Sequence, residues 1–116
     1  MKRIFFLFVF LLGLILIGAG CGTGGARTIL FVGDGCPHCA KVEEFLEKNK
    51  VGEKINLETL EVYKNQANAN LMAAKAKVCG LSLESIGVPF LWADSKCLIG
   101  DADIISFFEE KLKAEK

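Results

Sequence analysis

The sequence predicts an α/β domain, a four-stranded mixed sheet with helices on both faces in the order β-α-β-α-β-β-α. Three observations predict it. A short apolar run rich in β-formers, residues 28–32, is followed by an amphipathic helical pattern and then by a second, partly alternating run. Two more short runs near the C-terminus flank Ala93-Asp94-Ser95, the arrangement of a hairpin. A helix that joins two strands makes them parallel with a right-handed crossover. A hairpin pair is antiparallel, so the sheet is mixed, and helices covering both of its faces are the simplest way to bury it.

Each element has its own signal. Residues 28–32 form a buried strand, and Gly33-Asp34-Gly35 turns the chain. A helix follows over residues 36–49, with Cys39, Val42 and Leu46 on one face, Phe45 beside them, and Glu43, Glu44, Glu47 and Lys48 largely outside. Residues 54–62 form the second strand, with Ile55, Leu57 and Leu60 as its apolar positions. A second helix spans residues 65–79, where Ala67, Leu71, Ala74 and Val78 make the predicted stripe and Gly80 stands at its end. Residues 88–92 and 96–99 are the hairpin strands. The last helix spans residues 103–113, with Ile104, Ile105, Phe108 and Leu112 inward and Asp101 or Asp103 as its cap.

The first part of the 116-residue chain is different in kind. Met1-Lys2-Arg3 is basic, residues 4–17 are apolar apart from Gly13, and Gly18-Ala19-Gly20 precedes Cys21. A basic start, an apolar stretch and small residues make an export leader rather than part of a fold. The expected division is a leader or anchor over residues 1–21, a flexible tether over 22–27 and a folded domain over 28–113. Three readings of the leader stand side by side: a lipoprotein signal with Cys21 as the lipidated residue, an uncleaved membrane-spanning anchor, and a cleaved secretion signal. Gly18 departs from the aliphatic residue usual at that place in a lipobox, and about 18 apolar residues are near the lower limit for a span. Lys2 and Arg3 keep the N-terminal side in the cytoplasm, so each reading places the domain outside it, with the membrane as a partner through the leader in the first two.

Removing Lys2 and Arg3 from the 14 basic residues leaves 12 against 14 acidic ones. That mild negative balance gives no basis for nucleic-acid binding. Nothing in the sequence calls for an oligomer, so a monomer is expected. The five cysteines are an odd number for an exported protein, and lipidation of Cys21 would leave two pairs.

Cys36-Pro37-His38-Cys39 carries the chemistry. A Cys-x-x-Cys at a strand-to-helix junction is more specific than the same residues in a loop. The helix N-terminus offers unpaired N–H groups and a partial positive charge that favour a thiolate on Cys36. Cys39 lies one turn on, placed to attack a mixed disulfide. Pro37 suits the first turn, and His38, when protonated, adds positive charge that makes the disulfide more oxidising. A structural bridge is the bland alternative. A zinc site would need four ligands, and the chain has one His and no second close Cys pair.

The run Phe31-Val32-Gly33-Asp34-Gly35-Cys36-Pro37-His38-Cys39, followed later by Gly87-Val88-Pro89-Phe90, resembles the thioredoxin and glutaredoxin superfamily over residues 28–113. The resemblance implies a thioredoxin-like fold, a cis Pro89 facing the Cys-x-x-Cys, and a Val88 backbone that pairs with a bound substrate chain. Cys-Pro-His-Cys is similar to the motif of bacterial periplasmic disulfide oxidases, while the short length is more like glutaredoxins. Three departures stand out. Leu30 replaces the buried acid of thioredoxins, Gly35 replaces their Trp, and Gly100-Asp101-Ala102-Asp103 lacks the second Gly of the glutaredoxin glutathione site, which weighs against glutathione as a partner.

The expected function is thiol–disulfide exchange with extracytoplasmic protein thiols and disulfides and an unidentified redox partner, with no cofactor and no resident metal. Oxidase, reductase and isomerase remain equal as directions. The alternative is a soft-metal module, a copper(I) metallochaperone using Cys36 and Cys39. Topology adds one more expectation. Cys79 at the far end of the second helix and Cys97 at the start of the fourth strand both fall opposite the active-site end, so they are placed to form a second disulfide. Two ordinary buried thiols are the alternative.

Overall fold

A computed structural model describes residues 26–116, so the expectations for the leader, for Cys21 and for most of the tether lie outside the described residues. The domain is α/β with a four-stranded mixed sheet. In chain order it comprises β1 (Thr28–Val32), α1 (Pro37–Lys48), a helical turn α2 (Val51–Lys54), β2 (Leu57–Glu61), α3 (Gln66–Val78), β3 (Phe90–Ala93), β4 (Lys96–Ile99) and α4 (Asp101–Ala114). The strands lie in the order β2-β1-β3-β4. β1 and β2 are parallel, Thr28 opposite Leu57 and Val32 opposite Glu61. β3 runs antiparallel to β1 and β4 antiparallel to β3.

All five residues of β1 are buried, as a central strand covered on both faces requires. Alternate residues feed two cores. Leu30, Val32, Leu91 and Ala93 pack with Val42 and Leu46 of α1, Val51 of α2, and Ile104 and Phe108 of α4. Ile29, Phe31 and Phe90 pack on the opposite face with Ala76 of α3 and Val62, joined by the half-buried Ala69 and Met72. The Phe31 and Phe90 rings meet edge to face with centroids 5.8 Å apart, a geometry the ring quadrupole favours.

Four local expectations need correction. Residues 54–56 are not strand: Lys50 takes a left-handed conformation (φ 51°), which starts the turn of α2 and delays β2 to Leu57. β3 begins at Phe90, leaving Val88 and Pro89 outside the strand, and it runs on to Ala93. The stripe expected on α3 holds only at Leu71: Ala67, Ala74 and Val78 are exposed, and the helix turns Ala69, Leu71, Met72 and Ala76 inward. Neither Asp101 nor Asp103 caps α4; Gly100 holds the cap position at φ 95° and Asp101 is the first helical residue.

The hairpin turn is the two-residue Asp94-Ser95, both with positive φ, between paired Ala93 and Lys96. Positive φ at both central positions is the conformation whose twist matches the flanking strands. Cys79, the C-cap of α3, is joined to Cys97 of β4 by a disulfide with Cα atoms 6.3 Å apart, well within the span such a bridge needs. It ties α3, which has one fully buried residue, Ala76, to the sheet.

Candidate functional site

The site grows out of the end of β1. Gly33, Asp34, Gly35 and Cys36 form a turn closed by a hydrogen bond from the Cys36 N–H to the Gly33 carbonyl at 3.2 Å, with Gly35 at φ 75°. That conformation in the third position of a turn favours glycine. A Cβ at Gly33 would run into the ring of the exposed Tyr63, which would have to swing aside.

Cys36 is the N-cap of α1, with extended backbone angles. The Cys39 N–H donates to its sulfur at 3.1 Å, so the first turn of the helix presents a backbone donor to that atom. Pro37 occupies the first helical position, where no N–H partner is needed. Cys36 and Cys39 are at bonding distance as a disulfide, their Cα atoms 5.2 Å apart. The two sulfurs are not equivalent. Cys36 is half-buried, while Cys39 is 1% exposed and packs among Leu30, Val42 and Leu91. Thr28 is the only buried polar side chain among the described residues, so no acid lies beneath Cys39 where Leu30 stands.

Val88 and Pro89 meet this centre from the other side. The Val88–Pro89 bond is cis. The Val88 carbonyl oxygen stands 3.8 Å from the Cys36 sulfur, and the buried Pro89 accepts a hydrogen bond from the Gly100 N–H at 3.0 Å. The start of α4 is thereby drawn to the Cys-x-x-Cys end of the sheet. All four residues singled out from the motif, together with Val88 and Pro89, gather there. Cys79 and Cys97 are not part of it, since Cys97 pairs with Trp92 toward the opposite end of the sheet.

Two charge groups flank the cysteines that the sequence reading did not single out. Nδ1 of His38 stands 3.2 Å from one Asp101 oxygen, and Nζ of Lys41 stands 3.4 Å from the other. The contact with His38, aided by Lys41, outweighs desolvation and holds the Asp101 carboxyl below its ordinary 3.8. Because Gly100 holds the cap position, the Asp101 carboxylate is left to face α1. The clue was topological: β4 runs up to the end of the sheet that holds the Cys-x-x-Cys, so whatever follows Ile99 must lie beside it.

The second group ties two loops together. Glu61, the last residue of β2, accepts hydrogen bonds from the N–H groups of Asp34 (3.2 Å), Tyr63 (2.7 Å) and Lys64 (2.8 Å). Desolvation pushes this carboxyl up, and the three donors more than offset it, leaving it below its ordinary 4.5. Asp34 and Lys64 form an ion pair. The bond from Lys64 lowers the Asp34 carboxyl and in return raises the Lys64 ammonium above 10.5. The turn before Cys36 is thus braced against the segment after β2.

These shifts predict the acid side of the stability profile. The folded-state values of Asp34, Glu61 and Asp101 lie below their ordinary ones, so their stabilising contribution is complete above the unfolded-state values. It is lost as pH falls through the lowered folded-state values. Lys64 has the opposite sign, and its contribution is lost only as pH rises above 10.5. Urea midpoints of the oxidised full chain should therefore hold steady from about pH 5.5 to 9 and fall below about pH 4.5. Asp34→Asn/Glu61→Gln/Asp101→Asn should start lower and fall less steeply in acid.

Neither the comparison with protein-family models nor that with curated proteins finds a match for this chain.

Proposed function

We propose that this chain is a thioredoxin-like thiol–disulfide oxidoreductase that works on the thiols and disulfides of other proteins through Cys36 and Cys39. One observation carries the proposal: a disulfide at a helix N-terminus whose first sulfur is reachable and whose second is sealed in the core. A bridge that served only to staple the fold would gain little from joining residues three apart, and it would not need this asymmetry.

The reaction balances within the site. A substrate thiolate attacks the Cys36 sulfur, the Cys36–Cys39 bond breaks, and Cys39 leaves as a thiolate that takes a proton from water. A second substrate thiolate then attacks its own sulfur in the mixed disulfide and releases Cys36 as a thiolate. The substrate thiolates lose two electrons and the Cys-x-x-Cys gains them, the protons lost when the substrate thiols ionised having gone to water, which supplies the one on Cys39; reduction of a substrate disulfide runs through the same steps in reverse. The Cys39 N–H and the positive end of α1 favour negative charge on the departing Cys36 sulfur. His38 adds charge when protonated, and the Asp101 contact fixes where that charge sits. The Val88 carbonyl beside Cys36 suits main-chain pairing with an extended substrate.

The leader reading places this work outside the cytoplasm, on exported proteins, with the membrane holding the domain. The proposal is tested by equilibrating the full chain with thiol–disulfide buffers and reading the state of Cys36 and Cys39 by alkylation. Reversible, paired titration of the two supports it; a bridge that does not exchange refutes it.

A further inference from the structure

A cleft of about 750 Å³ opens beside Cys36 on the β2 side of the site, away from Val88. Its walls include Gly33, Gly35, Pro37 and Ala40, so its floor is backbone and small side chains that leave room for a chain to lie against the reactive sulfur. Every charged residue lining it is accounted for by three carboxylates, Asp34, Glu43 and Glu61, and one cation, Lys64. The cation is engaged with Asp34. Glu61 is engaged with three backbone N–H groups. Glu43 is exposed and lies seven residues after Cys36, with Ala40 between them at the fourth, so the three share one face of α1. Among the described residues the cleft therefore meets an incoming substrate with a net excess of two negative charges, one of them the Glu43 carboxylate, which has no hydrogen-bond or ion-pair partner among those residues and lies in line with Cys36.

We infer that this cleft selects protein substrates carrying Lys or Arg next to the reacting cysteine, with Glu43 as the specificity-determining residue. The inference rests on the exchange reading above, since the cleft has this meaning only if Cys36 reacts. The electrostatics fit a partner that docks transiently. A cation seated a few ångströms from an excess of negative charge at a wet surface is favoured modestly, and salt weakens the preference. A substrate with Asp or Glu at that place meets the same charges as repulsion.

The test uses the reduced full chain and two cyclic peptides, each closed by one disulfide and differing only in carrying Arg or Glu beside both cysteines. The peptide disulfide accepts the two electrons, and the Cys36–Cys39 disulfide is formed. Second-order rates are divided by the rates of the same peptides with dithiothreitol, which removes their own difference in reactivity. The normalised rate should favour the Arg peptide by about three- to tenfold at 20 mM salt, and by under twofold at 0.5 M. Glu43→Gln should shrink the preference at least by half, whereas Glu44→Gln, whose partner is Lys48, should leave it in place. Equal rates for the two peptides, or a preference that Glu43→Gln does not alter, would overturn the inference while leaving the exchange reading intact. Failure of both peptides and of oxidised dithiothreitol to oxidise Cys36 and Cys39 would overturn both.

Discussion

Replacing Cys36 by Ser should bring thiol–disulfide exchange down to the uncatalysed rate, and replacing Cys39 by Ser should instead fill the protein with trapped partners. The reason is the division of the two sulfurs between surface and core. Cys36 sits at the helix cap with part of its surface open and a backbone donor on its sulfur. Cys39 is 1% exposed and surrounded by apolar side chains. In the proposed exchange an incoming sulfur reaches Cys36, and the buried Cys39 would expel the partner afterwards. With Cys39 gone, the mixed disulfide through Cys36 has no internal thiol to resolve it and should accumulate as adducts on a non-reducing gel that disappear with reductant. If Cys39→Ser remains free of adducts and Cys36→Ser collects them, the assignment of the two sulfurs is reversed.

The other large effect belongs to the far end of the sheet. Cys79→Ala/Cys97→Ala should lower stability by about 3 kcal/mol, because the bridge closes a loop with a sequence separation of 18 and restricts the unfolded chain accordingly. For a domain of this size that corresponds to a drop in Tm on the order of 15 °C. α3 should feel it most. Ala76 is its one fully buried residue, and Val78 beside the bridge is 72% exposed, so its amides should lose hydrogen-exchange protection ahead of those in β1. In the oxidised, unfolded Cys36→Ser/Cys39→Ser chain, thiol counting should find no free cysteine other than Cys21. A stability change under about 1 kcal/mol would show that the bridge adds little to the fold.

The parts of this molecule that were legible in the sequence are those where composition and position agree. β1 reads correctly because four consecutive apolar residues follow Thr28 and run up to a turn signal, and a strand buried on both faces needs that pattern. α1 reads correctly because its buried and exposed faces differ in chemistry, Cys39, Val42 and Leu46 against glutamates and lysines. Only Leu71 of the stripe expected on α3 packs inward, because alanine serves equally well inside or outside; with Ala at five of its positions, several stripes fit, and the sheet took Ala69, Leu71, Met72 and Ala76. The helical turn at Val51 depends on a left-handed Lys50, a conformation no local signal marks for lysine. Within the site, Cys36 and Cys39 were visible as a motif and Pro89 through the resemblance. The His38–Asp101 contact and the bracing of the Asp34 turn by Glu61 were not, because each joins residues far apart in the chain that only the packing of β2 and β4 brings to the same end of the sheet.

The most direct test of the central claim is the reduction potential of the Cys36–Cys39 pair in the full chain. Samples equilibrated in glutathione and dithiothreitol buffers of graded potential, then alkylated and digested, report that pair separately from Cys79 and Cys97 by mass spectrometry. One reversible two-electron transition is expected, a tenfold change in ratio for about every 30 mV, with its midpoint between about −270 and −120 mV, where exchange proteins work. Cys79–Cys97 should remain oxidised until about −300 mV or below. A Cys36–Cys39 midpoint below about −300 mV, in the range of structural bridges, would contradict the central claim.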